Sequence, residues 1–309
     1  MILKQKNFVS AVVYVCNDER RVGFFLKTLH EIMSENFEKF EIIFVNDASK
    51  DSTNEIIKTH TEDVSNCIVS ILNMSYYSGV EISMCAGIDL AIGDFVFEFD
   101  SVEIDYEIRL IMDIYERSLQ GFDIVSTGKG TTRLSSKIFY ALFNRVSGNK
   151  NILRTDSFRL ISRRGINRVN SMNLSLPYRK AVYSSSGLKM DYIKYIPNNK
   201  YMRNKQVIKN PHDTAVNVLI LFSDVAYKLI MFFTIFMMIA TLGIAGYVVA
   251  IGIMGLPVAG WATTMLLISG LFFTLFVILA IIIKYLSLIL SLVFSRQKYT
   301  IESIEKISD

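Results

Sequence analysis

Four short apolar runs in the first 100 residues alternate with segments of helical spacing. The runs are rich in β-branched and aromatic residues and have the length of strands; they are residues 8–15, 40–45, 67–72 and 95–99. The segments between them repeat apolar residues at the intervals of an amphipathic helix; they are residues 21–34, 52–60 and 79–91. This alternation predicts an α/β fold, with a mainly parallel sheet and helices on both of its faces.

A short polar segment follows each of the four predicted strands. These segments read CNDER, NDASKDST, NMSYYSG and DSVEID, and three of them contain acids. In a parallel α/β sheet, ligands bind in the crevice beyond the carboxyl ends of the strands. A single acidic turn is commonly a helix cap, and for NDASKDST alone capping is an equal alternative. Four polar segments at one edge of the sheet favour a binding site.

Two later segments are apolar throughout, and hydrophobic residues make up 51% of the chain. Residues 229–253 and 264–283 each come close to the ~20 apolar residues that cross a bilayer. Residues 254–263 carry no charge, whereas lysines and arginines flank both outer ends. By the positive-inside rule, both outer ends face the cytoplasm. The alternative, two core helices of a water-soluble protein, would need a partner surface that covers them on all sides.

These patterns divide the chain into four predicted parts. Residues 1–212 form a cytoplasmic domain, residues 213–228 a juxtamembrane amphipathic helix, residues 229–292 a two-helix transmembrane anchor and residues 293–309 a cytoplasmic tail. The second part could equally be the start of the first span. Residues 1–15 lack the layout of a signal peptide, so we expect no export of the first domain.

Cysteine spacing, motifs and charge argue against several other classes. The three cysteines lie far apart without C-x-x-C spacing, which argues against a disulfide framework or a zinc site. No G-x-G-x-x-G motif follows the first predicted strand, so a dinucleotide-binding oxidoreductase is disfavoured. The formal net charge is +4, and the basic residues gather beside the apolar segments. Anionic lipid head groups explain this distribution better than nucleic acid does, so we expect no nucleic-acid partner.

Four segments, taken together and in order, carry a family resemblance. They are VSAVVYVCNDER, IIFVNDASKDST, GVEISMCAGIDLAIGDFVFEFDSVEID and SFRLISR. As an ordered set they resemble the family-2 glycosyltransferases of GT-A fold, and in particular the polyprenyl-phosphate sugar transferases. The resemblance covers nearly the whole chain. It implies a Rossmann-like, mainly parallel GT-A domain followed by two C-terminal transmembrane helices.

The resemblance also implies an activity. A single hexose would pass, with inversion, from a nucleotide sugar donor to polyprenyl (undecaprenyl) phosphate on the cytoplasmic leaflet, for cell-surface glycan modification. The expected location is the bacterial inner (plasma) membrane, with the lipid bilayer as a partner. Related bacterial enzymes often form homo-oligomers, although no residue of this sequence establishes that state.

Five residues at the first two polar segments would hold the nucleotide, by resemblance. Asn17, Glu19 and Asp47 would bind the base and ribose, while Ser49 and Asp51 would shape the loop. A divalent cation, Mg²⁺ or Mn²⁺, is the cofactor that the family implies on the donor diphosphate.

Asp100 matches the first acid of the family's metal-binding D-x-D motif, but Val102 stands where the second is expected. Hard cations prefer oxygen ligands, and valine has none. The adjacent Glu103 is the candidate second ligand, and Asp105 is another. The alternative is that Glu103 and Asp105 cap or charge the first turn of a helix over residues 106–119, which we favour for Asp105.

The segment TDSFRL supplies two more candidate catalytic residues. By resemblance, Asp156 would be the base, as is proposed for the Asp of G-D-F-R-L in bacterial relatives, although Ser157 follows the other form, T-G-S-F-R-L, and Asp156 occupies the place of its Gly. Arg159 would orient or neutralise phosphate. A base is not strictly required, since a phosphate acceptor, with a second pKa of about 6, is already anionic at neutral pH. For Arg159 the alternative is a buried structural ion pair.

Two other functions remain as alternatives. A processive polysaccharide synthase would resemble this chain in its first domain but carries a Q-x-x-R-W motif, which is absent because the only tryptophan is Trp261. A non-catalytic or weakly active relative would bind donor or a partner protein at the membrane. Val102 and the altered TDSFRL segment motivate this alternative, whereas the retention of Asp47, Asp100 and Arg159 argues against it.

Overall fold

The computed structural model describes residues 4–62, 67–129, 156–172, 179–197 and 299–308, together with isolated positions between 232 and 289. The chain divides into two compact units. The first comprises Met1–Asn144, Gly148–Pro211 and Arg296–Asp309, and the second comprises Arg145–Ser147 and His212–Ser295.

A mixed sheet forms the centre of the first unit. Its strands, within the described ranges, are β1 (Val9–Val15), β2 (Phe40–Asn46), β3 (Ile68–Met74), β4 (Phe95–Phe99), β5 (Ile124–Lys129), β6 (Phe158–Ser162), β7 (Met190–Tyr195) and β8 (Ile301–Ser308). Their order across the sheet is β7-β5-β6-β4-β1-β2-β3-β8. The pairs β1–β2, β1–β4, β2–β3 and β5–β7 are parallel, whereas β4–β6, β5–β6 and β3–β8 are antiparallel. The prediction of a mainly parallel α/β sheet is confirmed.

Helices cover both faces of this sheet. They are α1 (Val22–Asn36), α2 (Thr53–Thr61), α3 (Val80–Leu90), α4 (Leu110–Leu119), α5 (Arg163–Ser171) and α6 (Arg179–Ser185). The first three confirm the predicted helices. The fourth begins at Leu110, four residues later than predicted, because residues 100–109 form a bend and turns instead of helix.

Apolar side chains form one core cluster on each face. All seven residues of β1 are buried, and its apolar residues alternate between the clusters: Val13 packs with α1 and α4, and Val12 packs with α3. The close approach of α3 requires a glycine, since a Cβ on Gly87 would lie 2.4 Å from Val12 Cγ1. The sheet is therefore buried between two helical layers, and its free chemistry lies at the strand ends.

The C-terminal strand β8 adds to what the sequence predicted. Residues 293–309 were expected to form a tail, and eight of them, Ile301–Ser308, form an edge strand paired with β3. Half-buried and exposed positions alternate along β8, as expected for a strand with one face against the protein. The end of the chain thus belongs to the same sheet as its beginning.

The predicted membrane segments lie largely outside the described residues. In the part of the chain that the structure describes, no helix combines the length and apolar content needed to cross a bilayer. Residues 213–228 are not described, and of residues 229–253 and 264–283 only isolated helical positions are. Several of these positions carry exposed, large apolar side chains, among them Phe232, Phe236, Ile239, Leu275 and Leu279.

Candidate functional site

Arg159 is the centre of a buried group of charges at the carboxyl end of β4. It lies opposite Glu98 in the antiparallel pair β4–β6, which puts the two side chains on one face of the sheet. Its side chain is 1% exposed. The guanidinium donates from Nη1 to Glu98 Oε2 (2.8 Å), from Nη2 to Asp100 Oδ2 (2.6 Å) and from Nε to Asp156 Oδ2 (2.8 Å). Arg159 is therefore a buried ion-pair residue in this structure.

Arg179, the first residue of α6, approaches the same acids from a helix, whereas Arg159 lies on strand β6. It donates from Nη1 to Glu98 Oε2 (2.5 Å) and from Nη2 to Asp100 Oδ1 (2.7 Å). Its Nε and backbone N–H both donate to Glu81 Oε2. Asp100 is thus held between two guanidinium groups. We call the whole set the charge cluster; it consists of Glu81, Glu98, Asp100, Asp156, Arg159, Arg179 and Lys180.

Glu98 is the acid that both arginines share. It is fully buried in β4 and accepts a third hydrogen bond from the Tyr183 hydroxyl (2.6 Å). Burial, followed by the Glu98 charge, raises the pKa of Tyr183 well above its usual value, so this hydroxyl remains a donor. Neither Glu98 nor Arg179 was predicted from the sequence as a site residue. The available signal was an acid inside the apolar strand FVFEF, because a buried carboxylate requires partners.

Asp100 stays ionised under most conditions. Burial favours its neutral form, but the charges of Arg159, Arg179 and Lys180 outweigh burial and lower its pKa below the usual 3.8. Its contribution to stability is therefore present above pH 3.8 and is lost only as the pH falls toward the lowered value. Its side chain is 18% exposed, so this ionised carboxylate is not wholly enclosed by its cationic partners.

Asp156, the predicted base, also belongs to the charge cluster. One carboxylate oxygen accepts from Arg159 Nε, and the other contacts Lys180 Nζ. Lys180 Nζ also lies 3.8 Å from Asp100 Oδ2. Four carboxylates thus face three cations, which leaves the cluster with one excess negative charge. The role of Asp156 as a base stays a prediction.

Val102 does not face this cluster. The chain bends at residues 100–102, which breaks the strand alternation that would otherwise align Val102 with Glu98 and Asp100. The Val102 side chain is 3% exposed and belongs to the apolar cluster that contains Phe97, Phe99 and Phe158. Its position is a core position, and an acid there would be buried in apolar surroundings.

The residues predicted to bind metal do not form a cation site. Both oxygens of Asp100 accept from arginines, and the half-buried Glu103 is not part of the charge cluster. Asp105 accepts from the Tyr195 hydroxyl (2.7 Å) and pairs with Lys129, so the prediction that it caps a helix is wrong. Within the described ranges, no three His, Cys, Asp or Glu side chains are arranged to hold a metal ion. The donor set does not fit the two-acid site that the family resemblance implies.

The residues predicted to hold the nucleotide lie together at the ends of β1 and β2. The Asn17 N–H donates to Ser49 Oγ (3.0 Å), and Asn17 Oδ1 accepts from the Lys50 N–H (2.8 Å). The Glu19 N–H donates to Asp51 Oδ2 (3.1 Å). Burial opposes ionisation of Asp51, but hydrogen bonds from Thr53 and Glu19 lower its pKa. We call residues 46–51 the β2 loop; it is tied to the segment after β1 by these bonds.

Asp47 is placed differently from the other four nucleotide candidates. It is fully buried and accepts from the N–H groups of Ser78 (2.7 Å) and Gly79 (2.8 Å), just before α3. The Tyr14 hydroxyl is its third donor, at 2.9 Å. Asp47 thus fixes the start of α3 against the β2 loop, and direct binding of nucleotide by Asp47 stays a prediction.

Comparison with known proteins identifies the family of this domain. Residues 10–169 match the model of glycosyl transferase family 2, which is more than half of the chain. The chain belongs to this family. The match includes every predicted nucleotide residue and Asp100, Asp156 and Arg159, whereas Arg179, Lys180 and the whole of β8 lie beyond it. The glycosyltransferase domain is therefore completed by segments outside the family match.

Two curated relatives are similar to this glycosyltransferase over different lengths. The prophage bactoprenol glucosyl transferase homolog of Escherichia coli K12 is 32% identical over 195 residues, which cover 61% of this chain and 63% of the relative. The match thus spans less than two thirds of that relative. An uncharacterized glycosyltransferase of Synechocystis is 25% identical over 306 residues, covering 96% of this chain and 95% of the relative.

A solved structure shares the fold of this glycosyltransferase. It is glucosyl-3-phosphoglycerate synthase from Mycobacterium tuberculosis, in complex with Mn²⁺, UDP and phosphoglyceric acid. The TM-score is 0.51 at 9% identity, and the alignment covers 70% of this chain and 78% of that chain. This similarity concerns the fold alone.

The core position of Val102 leads to a first prediction. Val102→Asp is expected to lower the free energy of unfolding by about 3 kcal/mol, because it buries a carboxylate without partners. Urea unfolding of the purified protein measures the change. The matched control is Ser101→Asp, which places the same charge on the half-buried neighbour in the bend. If Val102→Asp were as stable as this control and gained Mn²⁺-dependent nucleotide binding, residue 102 would face the donor and our assignment would be wrong.

Proposed function

We propose that this protein is a membrane-anchored glycosyltransferase that moves a single hexose from a nucleotide sugar to polyprenyl phosphate, specifically undecaprenyl phosphate. Transfer takes place on the cytoplasmic leaflet of a bacterial plasma membrane and serves cell-surface glycan modification. Membership of glycosyl transferase family 2 supports the reaction class. The name of the E. coli relative, a bactoprenol glucosyl transferase homolog, supports a polyprenyl acceptor.

The path of the chain carries the membrane part of the proposal. β7 ends at Tyr195 and β8 begins at Ile301, and both strands belong to one sheet. A chain that leaves a domain and returns to it crosses a membrane an even number of times. Between these strands lie two apolar segments of spanning length, residues 229–253 and 264–283. We infer a two-helix anchor, with both of its outer ends on the cytoplasmic side.

The reaction needs little from a general base. An oxygen of the acceptor phosphate, already anionic, attacks the anomeric carbon of the hexose. The bond from that carbon to the donor diphosphate breaks, and the nucleoside diphosphate leaves with the electron pair from the opposite face, which gives inversion. The protein's task is to orient the donor and acceptor. In our proposal, Asp100 accepts hydrogen bonds from donor hydroxyls while Arg159 and Arg179 hold it in position.

Transfer to lipid is the direct test. The detergent-purified full chain is incubated with undecaprenyl phosphate and radiolabelled UDP-glucose or GDP-mannose, and lipid-linked label is measured with added Mg²⁺, Mn²⁺ or EDTA. We expect labelled lipid from one donor and none when undecaprenyl phosphate is omitted. Absence of labelled lipid with every donor, in a preparation that binds UDP-glucose by calorimetry, would reject the transferase.

That negative outcome is what the alternative function predicts. A non-catalytic relative would bind donor, or a partner protein, at the membrane without transfer. Two observations favour it: Val102 is a core residue, and both oxygens of Asp100 are engaged by arginines. Calorimetry and the lipid assay on the same preparation separate the two functions.

A further inference from the structure

The C-terminal strand is connected to the β2 loop through one buried side chain, Asn73. This residue of β3 is 7% exposed. Its Nδ2 donates to Ser303 Oγ (3.0 Å) and to Glu305 Oε1 (3.0 Å), both on β8. Both N–H groups of the Asn73 amide are therefore used by a strand more than 200 residues away in the chain.

The oxygen of the same amide faces the β2 loop and the helix α2 that follows it. Asn73 Oδ1 accepts from Asn46 Nδ2 (2.9 Å) and from Asn54 Nδ2 (2.9 Å). Asn46 is the last residue of β2, and its own Oδ1 accepts from the Ser49 N–H (3.1 Å). These bonds fix the orientation of each amide, because an amide rotated by half a turn would place donor against donor.

The β2 loop needs such support because its backbone is strained. Ala48 has φ 51°, and Asn17, to which the loop is bonded, has φ 55°. Residues other than glycine adopt this left-handed conformation at a cost and keep it only where the surroundings hold them. Two linked hydrogen bonds supply such contacts: one joins the side chains of Asn73 and Asn46, and the other joins the Asn46 side chain to the backbone N–H of Ser49. We call these three residues the asparagine relay.

A second contact of β8 reinforces the same region. Glu305 Oε2 lies 2.6 Å from Lys58 Nζ on α2, the helix that follows the β2 loop. The Lys58 hydrogen bond is also the main cause that lowers the pKa of Glu305, so this carboxylate stays ionised at neutral pH. β8 thus contacts α2, the helix that follows the β2 loop, and β3, the strand that pairs with β2.

We propose that β8 is a positioning element of the donor site. Ser303 and Glu305 hold Asn73, and through the asparagine relay they keep the β2 loop in the conformation that binds nucleotide. This inference deepens the proposed function and rests on it, in that the β2 loop is taken to bind the donor. It assigns a role in donor binding to a strand beyond the family match and beyond both predicted membrane segments.

Hydrogen exchange on the full chain in detergent, without nucleotide, tests the structural half. In the double variant Ser303→Ala/Glu305→Ala, we expect the amides of residues 46–51 to exchange about fivefold faster. The matched control is Glu302→Ala, which removes an exposed carboxylate from the same strand. Unchanged exchange in the β2 loop of the double variant, at an unchanged melting temperature, would overturn the proposal.

Donor binding and turnover test the functional half. With UDP-glucose as the probe, we expect the double variant to raise the Kd and KM about fivefold, with kcat changed less than about twofold. Glu305→Gln keeps an acceptor for the Asn73 amide and is expected to restore most of the affinity. A double variant that cannot fold would lower kcat and melting temperature together. The comparison is then made between the single variants, and a Kd for UDP-glucose that is no lower in Glu305→Gln than in Glu305→Ala would contradict the proposal.

The two proposals fail in different ways. If the wild-type protein neither binds UDP-glucose nor labels lipid, the proposed function is wrong for this donor, while the exchange experiment still decides whether β8 holds the loop. If the wild-type protein binds and transfers but the double variant matches Glu302→Ala in exchange and KM, then β8 has no positioning role.

Discussion

Replacing Glu98 by alanine is expected to lower the free energy of unfolding by about 3 to 5 kcal/mol, because it leaves buried guanidinium groups without their shared carboxylate. Glu98 is fully buried, and Arg159 and Arg179 are 1% and 4% exposed, so water cannot replace the lost partner. Urea unfolding of the full chain, followed by a thiol-reactive dye, measures the change. Cys67 is 4% exposed, and burial raises the pKa of its thiol to about 11, so we expect this thiol to react with the dye faster once the protein unfolds.

Two further variants make this result specific to the cluster. Glu116→Ala removes an exposed acid from α4 and is expected to change stability by less than about 0.5 kcal/mol. Glu98→Gln keeps the shape and one acceptor but not the charge. Its loss of unfolding free energy is therefore expected to lie between those of Glu98→Ala and Glu116→Ala. Equal unfolding midpoints for Glu98→Ala and Glu116→Ala would show that the arginines do not depend on Glu98.

Under the proposed function, Asp100→Asn is expected to lower kcat/KM for transfer to undecaprenyl phosphate by about 10²- to 10³-fold. The substitution keeps the size of the side chain but removes a negative charge that two guanidinium groups and Lys180 hold at the carboxyl end of β4. Interactions fixed in advance at a reacting centre have effects of this size when removed. Transfer of label from nucleotide sugar to lipid, at matched protein concentration and with the melting temperature checked, measures the change.

The same strand offers a matched control for Asp100. Asp94→Asn makes the same chemical change at the opposite end of β4, where the carboxylate is exposed and accepts from the Phe8 N–H. This variant is expected to transfer label at the wild-type rate. Activity of Asp100→Asn within about threefold of Asp94→Asn would remove Asp100 from the site and would favour the non-catalytic alternative.

Local pattern was sufficient for the first half of the domain. The strands β1 to β4 and the helices α1 to α3 were predicted because each is a continuous stretch whose apolar spacing repeats every two or about 3.6 residues. The polar segments after β1 and β2 were likewise expected at one edge, and Asn17, Glu19, Ser49 and Asp51 do lie together there. Strand β8 was not predicted, since its weak alternation gains meaning only from pairing with β3.

Val102 shows the limit of comparing positions. Alignment with a motif assigns a place in the order of residues, but it does not assign the direction of a side chain. The bend at residues 100–102 turns Val102 into the core and leaves Asp100 in the charge cluster. The expectation of a two-acid metal site therefore failed because the side chain at position 102 points into the core. In an extended chain, a change of one residue in the alternation moves a side chain to the opposite face.

By itself, the sequence determined the alternation of strands and helices, the edge at which polar segments gather and the two apolar segments of spanning length, because each of these depends on neighbours along the chain. Only the tertiary structure decided that Glu98 joins Arg159 and Arg179, 61 and 81 residues away, and that Asn73 joins Glu305, 232 residues away. A buried charge or amide is stable only with a partner in hydrogen-bonding geometry. Which residue becomes that partner depends on how the elements pack, and it cannot be predicted from spacing along the chain.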